Sequence, residues 1–457
     1  MKLFVVFSIF LVAIYGLPFS GLNRLPETSP SDKPPCNADA SNAYLDILLM
    51  IDTSSNMGSS NLKKISTTMA LISSKFTIGQ QTDYSTTKNT RVAVITYADQ
   101  ATITANFTNI NSANDLVNVL NGISVSNTKQ ANLTDAFVKA YTVIANCTLP
   151  DDDFCPPFAY PLRPVATILF AATSNGVDLD GVDHFINVEA AFEYQTIITV
   201  NFNSADQTLT KILNNMTYNY QVNASMYNYQ SSSGSLTQNL QWALLQVNCF
   251  CRDADNFVYF DTTINQYSKV AQCLGLAVFL YDDENGIEDM CTVNDIAVQS
   301  VPAFILSTEK QKFIESSYIG KIVWPNPEQS EPIYPAYFGL HKNSQGQWMF
   351  YNYNGSDFVP SNFINWGPGY PDPSHSCAVL NSHDNMTYVW ESVGCEPSGT
   401  GDLLAICQAP ACDTSSLACC SYCNGGLFED KETLRSKMRK RRELKRLNHG
   451  MSIRVNK

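Results

Sequence analysis

Between residues 43 and 247 the apolar positions follow two alternating rhythms. Residues 43–52 (AYLDILLMID) form an apolar run of strand length, whereas residues 61–76 carry Leu62, Ile65, Met69 and Ile72 three or four apart, the spacing of a helix with one buried face. Strands follow at 91–99 (RVAVITYAD) and 101–108, then helices at 114–120 and 133–146. Apolar strands return at 165–172 (VATILFAA) and 196–202 (TIITVNF), with a helical stretch at 183–192 between them and helices at 207–213 and 236–247 beyond. This alternation predicts an α/β fold, a doubly wound parallel sheet with helices on both faces and ligands taken at the carboxyl ends of its strands.

Beyond residue 247 the alternation stops, and short apolar runs such as Tyr337-Phe338-Gly339-Leu340 stand among cysteines and irregular stretches. At 457 residues the chain is too long for one domain and points to two or three. An apolar content of 44% supports packed cores, and a charged content of only 16% fits an extracellular surface of Asn, Ser, Thr and Tyr better than a cytosolic one. Met1 and Lys2 precede an apolar run at 3–15 that reads as a secretory signal cleaved near Gly16, because it falls short of the roughly 20 residues a membrane span needs. No later run reaches that length, so the mature chain is expected to be secreted and extracellular, without stable membrane insertion.

Fourteen cysteines behind such a signal imply disulfides. Cys147 and Cys155 flank the acidic Asp151, Asp152 and Asp153 and are expected to bridge each other. Cys412, Cys419, Cys420 and Cys423 include a C-x2-C step, which an oxidising compartment turns toward disulfides and away from zinc. Sequons place N-glycosylation acceptors at Asn106, Asn132, Asn146, Asn215, Asn223, Asn354 and Asn385. Residues 431–457 hold eleven Lys or Arg against Glu432 and Glu443, so this tail carries +9 and the rest of the chain −22. Leu434, Met438, Leu444 and Leu447 lie near helical spacing in it, and Arg439-Lys440-Arg441-Arg442 resembles a proprotein-convertase site.

The first strand ends in Asp52-Thr53-Ser54-Ser55-Asn56, and on that loop the segment resembles a von Willebrand factor type A domain. That family holds Mg2+ at the sheet's carboxyl edge through a D-x-S-x-S loop, a Thr from a second loop and an Asp from a third. Hard oxygen ligands on separate loops leave one octahedral position for an acidic side chain of a partner. The resemblance assigns these positions to Asp52, Ser54, Asn56 in place of the second Ser, and Thr134, while Thr173-Ser174-Asn175-Gly176 lacks the third-loop Asp. A site so reduced implies at most weak Mg2+. A glycan on Asn132, whose sequon ends on Thr134, would crowd the same rim. Without metal, Asp52 and Ser54 serve as turn and helix-cap residues.

Farther along, Trp366-Gly367-Pro368-Gly369-Tyr370-Pro371-Asp372, Cys377 with Cys395, and Cys407 have a spacing that resembles the second half of a C-type lectin-like domain. The resemblance runs from about Cys249 to Gln408, with Tyr337 and Phe338 where the family has Trp-Ile. It implies an α+β, disulfide-stapled fold in which Cys291 pairs with Cys407, Cys377 with Cys395, and Cys273 with Cys251 or Cys249. Sugar-binding members hold Ca2+ with a cis-proline triplet and a W-N-D run. Those positions read Tyr370-Pro371-Asp372 and Trp390-Glu391-Ser392 here, which leaves Asp372 and Glu391 as the hard ligands and implies weak Ca2+ at most. Trp366 and Trp390 are core positions in that family, while Tyr370 stands as a stacking surface with Pro371, Asp372 and Glu391 around it.

The domain boundaries follow as a signal at 1–16, a linker at 17–42, the type A domain at 43–247, the lectin-like domain at 249–408 and a Cys-rich, then basic, tail at 409–457. The combination is similar to a group of secreted nematode proteins. No firmly held cofactor and no nucleic-acid partner are expected, and the five histidines show no H-E-x-x-H pairing, nucleophile elbow or phosphate loop that would mark an enzyme. The expected function is a recognition protein of the C-type lectin class that binds glycans or extracellular proteins without strong calcium dependence, and the resemblance implies a role in innate defence. The competing class is an extracellular adhesion or scaffold protein whose two metal sites have decayed.

Overall fold

β1 (Asp46–Asp52) is buried at every position, as a central parallel strand must be. The alternation of its side chains sends Ile47, Leu49 and Ile51 into one apolar cluster and Leu48 and Met50 into another on the opposite face. The computed structural model describes residues 30–80, 88–145, 164–182, 195–218, 225–228, 236–251, 255–263, 266–280, 291, 300–319, 335–353, 355–360, 362–383, 387–395 and 402–414. The expected signal, the helical stretch at 183–192, Cys147 with Cys155 and the acidic run between them, Asn146, Asn223, Asn354, Asn385 and the basic tail lie outside the described residues.

β2 (Arg91–Tyr97), β3 (Ala101–Ala105), β4 (Val165–Ala171), β5 (Gln195–Asn201) and β6 (Ser225–Asn228) complete a six-stranded sheet in the order β3-β2-β1-β4-β5-β6. Every pair is parallel except β2 with β3, so the sheet departs from the all-parallel expectation at one edge. Three residues separate those two strands, Ala98 N donating to Gln100 O across the turn, and a parallel crossover needs a dozen or so. Asp46 opens β1 as a buried carboxylate paired with Arg91 of β2 through two guanidinium donors.

Helices packed on this sheet include α1 (Gly58–Ser73), α2 (Ala113–Asn121), α3 (Leu133–Ala145), α4 (Gln207–Tyr218) and α5 (Leu236–Val247). Leu62, Ile65 and Met69 of α1 join Leu116 and Leu120 of α2 and Leu240 and Leu244 of α5 over one face of the sheet. Phe137 and Ala140 of α3 join Leu209, Ile212 and Leu213 of α4 over the other. α1 starts and stops three residues before the 61–76 that its spacing predicts, because amphipathic spacing marks a buried face and not the ends.

The second half is one sheet in which β10 (Ala336–Lys342) occupies the middle. Around it run β7 (Asp255–Asp261), β8 (Gln266–Leu280), β9 (Val301–Pro302), β11 (Trp348–Tyr351), β12 (Asp357–Phe358), β13 (Cys377–Ser382), β14 (Tyr388–Val393) and β15 (Asp402–Pro410). β10 pairs in parallel with β15 and antiparallel with β11 and β13. Helix α6 (Thr308–Ile314) packs on this sheet, its start capped by Ser307 Oγ, which accepts from Lys310 N at 3.2 Å. Gly339 is needed in β10, since a Cβ there would lie 2.6 Å from the Pro302 carbonyl oxygen.

Four disulfides join described residues: Cys36–Cys249, Cys251–Cys273, Cys291–Cys407 and Cys377–Cys395. Of the two partners left open for Cys273, Cys251 takes it, and Cys249 reaches back to Cys36. Residues 31–37, read from the sequence as linker, lie along the second half. Ala271 N donates to Pro34 O, Pro35 bridges Val270, and Asn37 N donates to Asp413 Oδ2. Asp32 accepts from Leu306 N and Ser307 Oγ and forms an ion pair of 3.1 Å with the fully buried Lys310.

Lys269 of β8 is a second buried lysine, and among the described residues no acceptor is paired with its ammonium. Burial pushes its pKa down to about 8. A folded pKa below the unfolded value of about 10.4 means that both states hold the proton below pH 8, where folding bears the full cost of the buried charge. Between about pH 8 and 10.4 the unfolded chain binds more protons, so stability rises with pH. Lys269→Met is therefore expected to stabilise the chain at pH 7 by about 1–3 kcal/mol and to flatten that rise, as read by denaturant melts between pH 7 and 9.5. A steeper rise in the variant would contradict it.

Candidate functional site

At the carboxyl edge of the six-stranded sheet, β1 delivers Asp52 into a fully buried position. Its Oδ1 accepts from Ser54 N at 2.7 Å and its Oδ2 from Ala172 N at 2.9 Å, so one carboxylate ties the first loop to the third. Burial pushes the Asp52 carboxyl up, and the bonds from Ser54, Ala172 and Thr173 oppose that push without cancelling it. Ser54 is buried beside it, close enough to favour the carboxylate, but its hydroxyl has no aligned hydrogen-bond partner. Asn56 is exposed on the turn leading into α1.

Thr134, in the first turn of α3, donates its hydroxyl to the Asp178 carbonyl at 3.3 Å. Asn132 caps the same helix, its Oδ1 accepting from Asp135 N, so the side chain that would carry a glycan is already part of the rim. In the third loop, which lacks the family's acid, stands Ser174. Both its N and its Oγ donate to Asp206 Oδ2, at 3.0 and 2.9 Å, from the loop between β5 and α4. Gly176 has φ +79°, a left-handed backbone that favours glycine, and the Gln130 side chain of the second loop lies over it.

These donors do not fit a tightly held divalent ion. Among the described residues Asp52 is the one buried carboxylate at the edge, its oxygens each take a backbone N–H, the Thr134 hydroxyl is turned to a carbonyl, and Mg2+ requires near-ideal octahedral oxygen geometry. Among the described residues no group of three or more His, Cys, Asp or Glu is placed to hold a metal. Asp206 escaped the sequence reading, although an Asp directly before the helical run starting at Gln207 is a helix-cap signal.

On the long loop of the second half, the Tyr370–Pro371 peptide bond is cis. Asp372 N donates to Ser392 Oγ at 2.7 Å, while Asp372 Oδ1 accepts from Ser374 Oγ and N. The Ser374 hydroxyl and backbone bonds hold the Asp372 carboxyl below its ordinary range. Glu391 is buried on β14, its Oε2 accepting from Asn381 Nδ2 at 2.9 Å and its Oε1 lying 2.5 Å from His383 Nε2. Tyr370 completes the group. Burial and the neighbouring Glu391 and Asp372 carboxylates together raise its phenol above the ordinary value.

Asn381 and His383 carry no motif and were not found in the sequence. Trp390 is a core side chain, 1% exposed, so no ligand stacks on it, and Trp366 is half-buried against it with ring centroids 5.8 Å apart.

Residues 46–148 match the model of the von Willebrand factor type A domain. Among solved structures the chain is similar to proximal thread matrix protein 1 (PTMP1) from the mussel byssus, at 17% identity and a TM-score of 0.34 over 46% of this chain and 48% of that one. A further structure of that mussel protein, with a zinc-occupied MIDAS motif, is similar at 16% identity and a TM-score of 0.33 over the same shares. The SpRpn10 VWA domain is similar at 9% identity and a TM-score of 0.29, over 40% of this chain and 87% of that one. The chain thus spans about half the length of the mussel protein. No curated protein matches the sequence. The chain carries a von Willebrand factor type A domain, matched over residues 46–148.

Proposed function

We propose that this protein is an extracellular adhesion or scaffold protein, a binding protein and not an enzyme, in which a type A domain and a C-type lectin-like half present protein-interaction surfaces. The observation that carries the reading is the fastening of the two halves to each other. Cys36–Cys249 closes a loop of 213 residues around the first half, Tyr44 N donates to Asn248 Oδ1, and the buried Lys88 ammonium donates to the carbonyls of Asp413 and Thr414. Type A domains mediate protein–protein contacts, and a covalently closed junction suits a part that transmits load or spaces partners. Disulfides of this number fit an oxidising, extracellular compartment, and no helix of the described residues is long and apolar enough to cross a membrane. The lectin-like reading of the second half is supported by the Cys291–Cys407 and Cys377–Cys395 bonds and the central position of β10.

A second reading, glycan recognition without calcium, is favoured by a half-buried Tyr370 on the long loop, near enough to the Glu391 and Asp372 carboxylates for their charge to act on its phenol. Binding of the full chain to a glycan array and to purified extracellular-matrix proteins, each with and without EDTA, separates the two. The adhesion reading expects matrix-protein binding that survives EDTA and a silent array. Array binding that EDTA removes and Ca2+ restores would overturn it, and array binding indifferent to EDTA would favour the second reading.

A further inference from the structure

We infer that the carboxyl rim of the type A domain is held together by direct hydrogen bonds in place of a cation, with Asp206 as the positioning residue that stands in for the missing third-loop carboxylate. A cation would draw three loops together by charge. Here each pair of loops has its own bonds. The first and second are joined by Ser55 N to Thr128 O and Ser126 N to Thr53 O, both 2.7 Å. The second and third are joined by Ala131 N to Asn175 O at 2.7 Å and by Thr134 Oγ1 to Asp178 O. The first and third are joined through Asp52 to Ala172 N.

Asp206 supplies the remaining hold on the third loop, from a segment outside the family's three-loop motif. Its Oδ2 takes both donors of Ser174, while its Oδ1 takes Leu209 N at 2.9 Å and so anchors the side chain to the start of α4. Asn203 Nδ2 adds a bond to Ala172 O at 3.2 Å from the same loop. Burial raises the Asp206 carboxyl, but the bonds from Leu209, Ser174 and Thr208 outweigh that and hold it below its ordinary range. A carboxylate in this place fixes Ser174 by charge-assisted bonds to two donors, the same positional task that a metal-bound Asp performs. The buried Ser54 hydroxyl has no aligned hydrogen-bond partner among the described residues.

The test is hydrogen exchange and thermal melting of the full chain in EDTA, Mg2+ or Zn2+. The wild-type melting temperature is expected to be the same in all three, because a ligand that does not bind the native state cannot stabilise it. Asp206→Ser, which keeps a helix cap but cannot reach Ser174 with a carboxylate, is expected to speed amide exchange at Ser174 and Asn175 by about tenfold or more, while β4 amides keep their protection. Ser174→Ala should give a smaller change at the same amides. A metal-dependent rise in the wild-type melt that disappears in Ser54→Ala or Asp178→Asn would overturn the inference. Unchanged exchange at Ser174 in Asp206→Ser would overturn the role given to Asp206.

Discussion

Lys310→Met is expected to lower the melting temperature of the full chain by on the order of 10 °C, equivalent to about 3–5 kcal/mol lost. Lys310 is fully buried, and its ammonium sits between Asp32 Oδ1 at 3.1 Å, Gln272 Oε1 at 2.9 Å and Gln408 Oε1 at 2.7 Å, with the Phe304 ring 4.3 Å away. Burial lowers its pKa to about 8, against the opposing pull of Asp32. Replacing the cation with an apolar chain of similar length keeps the packing but strands Asp32, whose Oδ1 has no aligned hydrogen bond and relies on that cation. The double variant Asp32→Asn with Lys310→Met should recover part of the loss. The contrast with Lys269→Met is the informative comparison: both lysines are buried with pKa values lowered to about 8, yet only Lys310 has a partner to strand. Equal effects of the two substitutions would show that desolvation alone, and not the pair, sets their energetics.

Trp390→Ala is expected to cost about 3–5 kcal/mol, whereas Tyr370→Ala should leave the melt nearly unchanged. Trp390 is 1% exposed and fills the centre of the second core, with ring centroids 5.3 Å from Phe338, 5.6 Å from Phe363 and 6.4 Å from Phe350. Its indole N–H donates to Gln311 Oε1 at 3.0 Å, so truncation opens a cavity and also leaves a buried acceptor without its donor. Tyr370 is half-buried on the loop, and Glu391 keeps its bonds to Asn381 and His383 without it. Calorimetry of the two variants decides the point. A collapsed melt in Tyr370→Ala would make it a packing residue, and a mild effect of Trp390→Ala would mean that the core closes over the gap.

The local rhythm of the chain was enough to find β1, the apolar face of α1, the presence of α2 to α5 and the Asp52–Ser54 loop, because each is defined by residues a few positions apart. The same locality hid what joins distant segments. Asp206 and Ser174 lie 32 residues apart, and nothing in either neighbourhood marks the other. Asn381 and His383 meet Glu391 only because β13 and β14 pair in register. The antiparallel set of β3 was implicit in the three-residue turn before it, yet the apolar pattern of a strand carries no direction. Cys273 had two partners of equal standing in the sequence, and the choice fell to Cys251 once Cys36 had taken Cys249 from 213 residues away. Residues 31–37 looked like linker because a segment whose contacts are all long-range shows no period of its own. Periodicity records what a residue's near neighbours bury. Which carboxylate meets which lysine, and which loop is clamped without a metal, depends on surfaces that exist only after the two sheets have formed.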